Sequence, residues 1–462
     1  MNHTSTANPL GYEKLPILLR QFAVPSIIAM VVSSLYNIID QVFIGQGVGY
    51  LGNAATNVAY PLTTISLAMT LLISIGSASR FSLSLGEGDE NRAAQAVGNA
   101  VSMIVLFGIL YVFVIEIFLH PLLTAFGATA DVMPYAEDYT RIIGIGMPLL
   151  MLTNGMSNLA RADGSPRSSM LCMLVGAILN TILDPIFIFK LHMGIKGAAY
   201  ATIIGQFFSF LLAVRYLFKF QHVTLKKQHF GLKLPVCLNI ASLGMSNCLN
   251  QIAITLVQIV LNNSMTYYGA KSVYGSEIPL AASGIVMKTN AILLSVIIGL
   301  SQGSQPIIGF NYGAKQYERV RGVYKLAISC NLVISTVGFV LFQFFPTQII
   351  SLFGTGDALY FEFAVRFMRI FLFMVLINGV QLLSSNFFAA IGKPLKGMIL
   401  SLTRQVIFLI PLILVLPIFF GIDGILFSAP IADALAFLVT IFFIRREMKQ
   451  MRLMEQDTIA KS

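Results

Sequence analysis

The sequence predicts an all-α membrane protein with twelve transmembrane helices in two pseudo-symmetric six-helix lobes. Three observations predict it. Of the 462 residues, 56% are hydrophobic and only 11% charged, with a mean hydropathy of +0.80, whereas soluble domains carry about 25% charge. Apolar runs long enough to cross a bilayer as helix, about 20 residues each, recur twelve times. The second six runs repeat the first six at a near-constant offset.

Bounded by charge, Gly or Pro, the runs fall at 15–44, 54–79, 94–119, 134–160, 168–189 and 195–218, then at 237–266, 280–303, 322–345, 360–389, 397–420 and 424–444. Pro16, Pro25, Pro61, Pro148 and Pro185 lie within or at the ends of these runs, which helix bundles in lipid tolerate because neighbours satisfy the freed backbone groups. The polar stretch before Lys14 lacks the short apolar core and cleavage site of a secretory signal, so the first span is expected to be retained. The expected division is 1–218 for the first lobe, 219–236 for a connector carrying Lys219, Lys226, Lys227 and Lys233, 237–447 for the second lobe and 448–462 for a tail.

With both termini placed in the cytoplasm, 23 of the 30 Lys and Arg fall in inner segments, three (Lys190, Lys196 and Lys271) in outer loops, and Arg141, Lys288, Arg366 and Arg369 within spans. This bias is the positive-inside pattern. The net charge of +10 therefore reports topology; without a basic-aromatic cluster on a soluble domain, no nucleic-acid partner is expected. Cys172, Cys237, Cys248 and Cys330 have no paired spacing and suggest neither disulfides nor a metal site.

A shift of 227 or 228 residues superimposes Ala54-Ala55 on Ala281-Ala282, Ser74-Ile75-Gly76-Ser77 on Ser301-Gln302-Gly303-Ser304, Gly86 and Arg92 on Gly313 and Arg319, and Phe126-Gly127 on Phe353-Gly354. Arg141 then meets Arg369. Ser157-Asn158, Ala162, Gly164, Pro166 and Met170 meet Ser385-Asn386, Ala390, Gly392, Pro394 and Met398, and Gly194-Ile195-Lys196-Gly197 meets Gly421-Ile422-Asp423-Gly424. Six spans per repeat preserve membrane direction. The lobes are thus expected to be parallel repeats facing a central cavity, the arrangement that alternating access uses.

Several chemistries are excluded. Gly392-Lys393 is followed by Pro394, with Phe387 where a phosphate-binding loop needs its first glycine. The glycine-rich stretch from Gly45 to Gly52 has no preceding strand and reads as a turn. His3, His120, His192, His222 and His229 sit in loops or at span ends, with no metal or nucleophile constellation. No cofactor and no enzymatic activity are expected.

A charged side chain at the bilayer centre costs about 2.5–3.5 kcal/mol even on permissive scales, so intramembrane acids are candidates for function. Asp40 lies in the outer part of span one and Asp184 near the outer end of span five. Tyr36 and Asn180 precede them by four residues, on the same helix faces, and Thr202 can add a hydroxyl. Two carboxylates sharing a dry pocket favour a shared proton or a hard cation. Glu116 and Asp433 lack such neighbours and read as structural. Lys288, too deep to snorkel easily, either lines the cavity or pairs with an acid across it. With Met287 it forms the candidate substrate-cavity set.

The motifs Tyr36-x-x-x-Asp40-x-x-Phe43-Ile44-Gly45, Arg161-Ala162-Asp163-Gly164-Ser165-Pro166, Asn180-x-x-x-Asp184-Pro185 and Gln305-Pro306-x-x-Gly309-Phe310-Asn311-Tyr312-Gly313-Ala314 occur in this order. The chain resembles the multidrug and toxic compound extrusion (MATE) family over 12–447, most closely its bacterial MepA-type branch. The resemblance implies a monomeric, multi-pass transporter of the bacterial plasma membrane that exports amphiphilic, often cationic drugs in exchange for H+ or Na+. It implies a cation-coupling site at Asp40, Asn180, Asp184, Thr202 and Tyr36, with any Na+ at Asp40 and Asp184. It makes Pro25 a helix-bending position and Asn154 a cavity contact. The family's additional acid in helix seven is missing, since that helix offers Gln251 and Gln258, so the ion belongs in the first lobe.

Two rival functions fit the sequence less well. A flippase for lipid-linked anionic precursors calls for several basic residues in the cavity, where the sequence offers mainly Lys288. A membrane transferase calls for a catalytic loop, whereas Glu87-Gly88-Asp89-Glu90 reads as a solvated turn.

Overall fold

The computed structural model describes residues 8–352 and 357–461, and all regular structure among them is helical. Eleven helices are long and apolar enough to cross a bilayer, and a twelfth span is formed by a bent pair. The first lobe comprises span one (Leu15–Gly47), two (Leu51–Gly86), three (Glu90–Ala125), four (Met133–Ala162), five (Pro166–Lys190) and six (Gly194–Leu217). The second comprises span seven (Leu234–Ala270), eight (Glu277–Gly313), nine (Tyr317–Phe344), ten (Ala358–Phe371 and Val375–Ala390, bent by 51°), eleven (Pro394–Phe420) and twelve (Ile422–Asp457).

Most helices outrun the apolar stretches that announce them. At 1.5 Å per residue a 37-residue helix such as Glu277–Gly313 is about 55 Å long, well beyond the ~30 Å hydrocarbon layer. The polar ends stay helical because they are capped or paired: Asp89 accepts from the Arg92 amide at 2.9 Å. Residues from 448 onward, expected as a tail, continue the last helix to Lys461. Arg321 pairs there with Glu455 at 2.6 Å, and buried Glu447 is clamped by Lys393 and Lys396. Span ten, expected as one run, breaks between Phe371 and Val375. Inside the apolar layer, several hydroxyls are satisfied by their own helices: Ser26, Thr70, Thr153 and Thr202 each donate to the carbonyl four residues back.

The repeat has structural counterparts. Ser157 donates to the Ser169 carbonyl at 3.1 Å, and Ser385, its match, to the Gly397 carbonyl at 2.8 Å. Gly164 and Gly392 turn the chain with φ of +86° and +75°, where side-chain-bearing residues are strained. The fifth span of each lobe widens into a π-helix, Ile186–Lys190 after Pro185 and Thr403–Leu409 ahead of Pro411. Proline, lacking an N–H, disturbs the regular ladder at both places. Phe353 and Gly354, matched to Phe126 and Gly127, lie outside the described residues.

The repeated glycines are where the lobes meet. A Cβ on Gly86 would stand 2.0 Å from the Phe310 carbonyl oxygen, and one on Gly313 2.2 Å from that of Leu83. Gly76 and Gly244 make equivalent approaches, 2.0 Å to the Ile240 oxygen and 1.8 Å to the Leu72 oxygen. Gly303 abuts Ala23 at 2.5 Å. These contacts join span two to spans seven and eight, and span one to span eight. All lie on the side of the bundle that carries the start of span one. Gln305 adds a cross-lobe bond to Ser79 at 2.7 Å.

Both chain segments leading into a lobe are fastened. The Leu10 carbonyl accepts from Asn311 at 2.9 Å, and Arg319 holds the Glu13 carbonyl at 2.7 Å. The first half of span one packs Leu18, Leu19, Phe22 and Ala23 into one core with Leu300, Ile307 and Val320 of the second lobe. Residues 219–236, in contrast, are tied to the first lobe. Asn99 accepts from the Lys233 amide at 2.8 Å and donates to the His229 carbonyl at 3.2 Å. Fully buried Asp163 accepts from Tyr216, from the Gln221 and His222 amides and from the His222 ring. Asp163 raises the His222 pKa above the ordinary 6.5, while burial beside Lys226 and Lys233 lowers that of His229.

Candidate functional site

Beyond the glycine contacts, the lobes enclose a cavity of about 900 Å³ lined by residues from both. Tyr36, Asp40, Asn154, Asn180, Thr202, Met287 and Lys288 all contribute to its wall. Pro25 does not. It is buried in an unbroken span one, next to Ser26, whose hydroxyl bonds back to Phe22.

Five predicted residues come together on the first-lobe side. Asp40 sits two turns before the end of span one, and Asp184 in the last α-helical turn of span five. Their carboxyl groups are close enough for each to act on the other electrostatically. Asn180 Nδ2 donates to Asp184 Oδ1 at 3.2 Å and to Thr202 Oγ1 at 3.1 Å. Tyr36 stands in the field of both acids. Asp40 is 9% exposed, Asn180 2% and Asp184 0%.

Donors run short at this spot. Asp40 Oδ1, Asn180 Oδ1 and Asp184 Oδ2 are buried without a hydrogen-bond partner. Buried polar atoms are normally satisfied, and oxygen-only ligand sets suit protons and hard cations. Two carboxylates in contact repel strongly in a low dielectric, and a proton or cation between them removes that repulsion.

Sequence reasoning missed Tyr139, which also stands in the field of Asp40, Asp184 and Tyr36. Its signal was available: Tyr139, Ile143, Met147, Leu150, Asn154, Asn158 and Arg161 line the cavity at helical spacing. Arg161, 2% exposed, bonds Asn158 and Ser169 and reaches across to Gln302 at 2.9 Å.

On the second-lobe side the picture changes. Asp433 is paired with Arg404, so the acid without a sequence neighbour has a spatial one. Arg404, assigned to an inner loop by charge counting, lies within span eleven and lines the cavity. Glu116 pairs with Arg141 at 3.5 Å on the exposed surface. Lys288 lines the cavity and meets no acid among the described residues.

Comparison with known proteins agrees with this architecture. The MatE family profile matches residues 25–186 and 247–415. The multidrug export protein MepA of Staphylococcus aureus (strain bovine RF122 / ET3-1) is 25% identical over 438 residues, 94% of either chain. A MOP superfamily transporter from Pyrococcus furiosus Vc1 superimposes with a TM-score of 0.90 at 21% identity, over 98% of this chain and 100% of that one. The outward-facing conformation of a multidrug resistance MATE family transporter does so with the same score, identity and coverage.

Proposed function

Because this chain belongs to the MatE family of multi-pass membrane transporters, we propose that it is a secondary active multidrug exporter of the bacterial plasma membrane, working as a monomer with both termini cytoplasmic. It exchanges amphiphilic, often cationic drugs for H+ or Na+. The MepA relatives, multidrug exporters by name and matched nearly end to end, support the drug reading. The ion reading rests on one observation: three buried oxygens, on Asp40, Asn180 and Asp184, lack a donor at a single spot.

An entering proton or Na+ is held by Asp40 and Asp184, with Asn180 and Thr202 orienting the set and Tyr36 and Tyr139 closing it from water. Binding draws the end of span one that bears Asp40 toward span five. The other end of span one is packed against spans eight and nine, so a movement at the ion site is transmitted to the contact between lobes. Pro25, which removes one backbone hydrogen bond between the two ends, is the place where the helix yields. We treat 1–218 and 237–447 as the moving lobes and 219–236 as their connector.

An ion shifts such an equilibrium only by its differential affinity for the two states. The variant Asp40→Asn with Asp184→Asn should therefore lose export of a fluorescent cation from proteoliposomes under imposed pH or sodium gradients, while still binding the dye. Unchanged gradient-driven export by that variant would refute the ion assignment. Applying the two gradients separately identifies the ion.

A further inference from the structure

We propose that the second lobe carries a subsite for an anionic group, centred on Lys288, which receives the carboxylate of those exported compounds that bear one. The inference rests on the export reading above and names the residue that selects among its substrates.

The charges lining the cavity are Asp40, Arg161, Lys288, Arg404 and Asp433. Arg404 and Asp433 neutralise each other. Arg161 is almost fully buried and held by three neutral groups. Lys288 alone among the described cations of the cavity is exposed in it and makes no hydrogen bond or ion pair. An ammonium inside a membrane protein is costly without water or a counter-anion, and protein supplies no anion here.

Depth along the helices says what surrounds it. Lys288 lies eleven residues inside the start of span eight at Glu277, about 16 Å at 1.5 Å per residue. Val257 of span seven and Leu372 at the break of span ten lie at similar distances from the same ends of their helices. With Met287 and Phe371 they make the neighbouring cavity wall apolar. An ammonium set in an apolar wall fits an anionic group attached to an apolar body, because both parts of such a ligand are met at once. Asp40 lies seven residues from the end of span one at Gly47, about 10 Å deep by the same rise, on the opposite lobe. The cavity thus presents an acid on one side and a free cation on the other.

The test uses full-length purified protein and a matched dye pair: rhodamine B, which carries a carboxylate and a delocalised cation, and its ethyl ester, in which the carboxylate is masked. Fluorescence polarisation should show wild-type protein binding the carboxylate form about tenfold more tightly, the scale of one charge-assisted contact. Lys288→Gln should bring the ratio of the two affinities to about one, and Lys288→Arg should keep it. Equal binding of both dyes by wild-type protein, or a ratio that survives Lys288→Gln, overturns the subsite. Gradient-driven transport of the ester separates the two readings. Ester export without carboxylate preference removes the subsite alone, and failure to bind either dye removes the subsite together with the export reading.

Discussion

The two lobes are built on one plan and treat a buried carboxylate in opposite ways. In the first, Asp40 and Asp184 each keep one buried oxygen, Oδ1 and Oδ2 respectively, that no donor among the described residues reaches. In the second, Asp433 receives the guanidinium of Arg404 from the neighbouring span. The repeat offset places Ala177 and Gln206 where the second lobe has Arg404 and Asp433. One lobe carries its counter-cation on a tether; in the proposed cycle the other takes a proton or a cation from solution. A mobile ion can then act on the first lobe alone, which accords with the missing acid in span seven, where Gln258 simply bonds Asn262.

Removing the tethered cation tests the contrast most severely. Arg404→Gln leaves Asp433 buried and unpaired, which should cost about 3–5 kcal/mol in thermal or denaturant unfolding, and adding Asp433→Asn should recover most of it. A single variant as stable as wild type would break the comparison. Next in size is the seam. Gly244→Val forces a methyl-bearing carbon into the Leu72 carbonyl, an overpacking worth about 1–3 kcal/mol. Hydrogen exchange should quicken over residues 68–86 of span two, and unaltered protection would mean the lobes do not need this closeness. Asn180→Ala sharpens the account of the ion site: losing a donor shared by Asp184 and Thr202 should weaken ion binding about tenfold, in line with about 1–2 kcal/mol for such a bond, read by ion-dependent stabilisation.

The smallest effect concerns pH outside the membrane. Asp163 raises the His222 pKa in the folded protein, so the imidazolium contributes stability that is fully present below the unfolded value near 6.5 and lost as pH climbs through the higher folded one. Melting temperature should fall slightly over that interval in the wild type. In His222→Gln this component should vanish.

Much of this was legible beforehand for a physical reason: bilayer thickness fixes how many apolar residues a span needs, so counting runs counts spans, and i,i+4 spacing placed Tyr36 with Asp40 and Asn180 with Asp184. What stayed hidden depends on contacts between spans. Arg404 and Asp433 are 29 positions apart and look like a loop cation and a stray acid until their helices are packed together. Gly76, Gly86, Gly303 and Gly313 were visible as repeated letters, but their purpose needed the facing backbone. The lengths of the helices were misjudged because their polar ends are held by caps and ion pairs, such as Glu447 with Lys393 and Lys396, which hydropathy does not register.

The fastening of the connector has a mechanical corollary. With Lys233 bonded to Asn99 one residue before span seven begins, there is no slack cord between the halves. In the proposed cycle that corner would serve as a hinge pin, and Arg319, bonded to the Glu13 carbonyl, would pin a second corner. In the proposed transport cycle, two such pins would let the halves swing about the line that joins them and would resist drifting or sliding. Lengthening the stretch from Gly231 to Lys233 with a few flexible residues would slacken one pin and blur the stroke into a wobble.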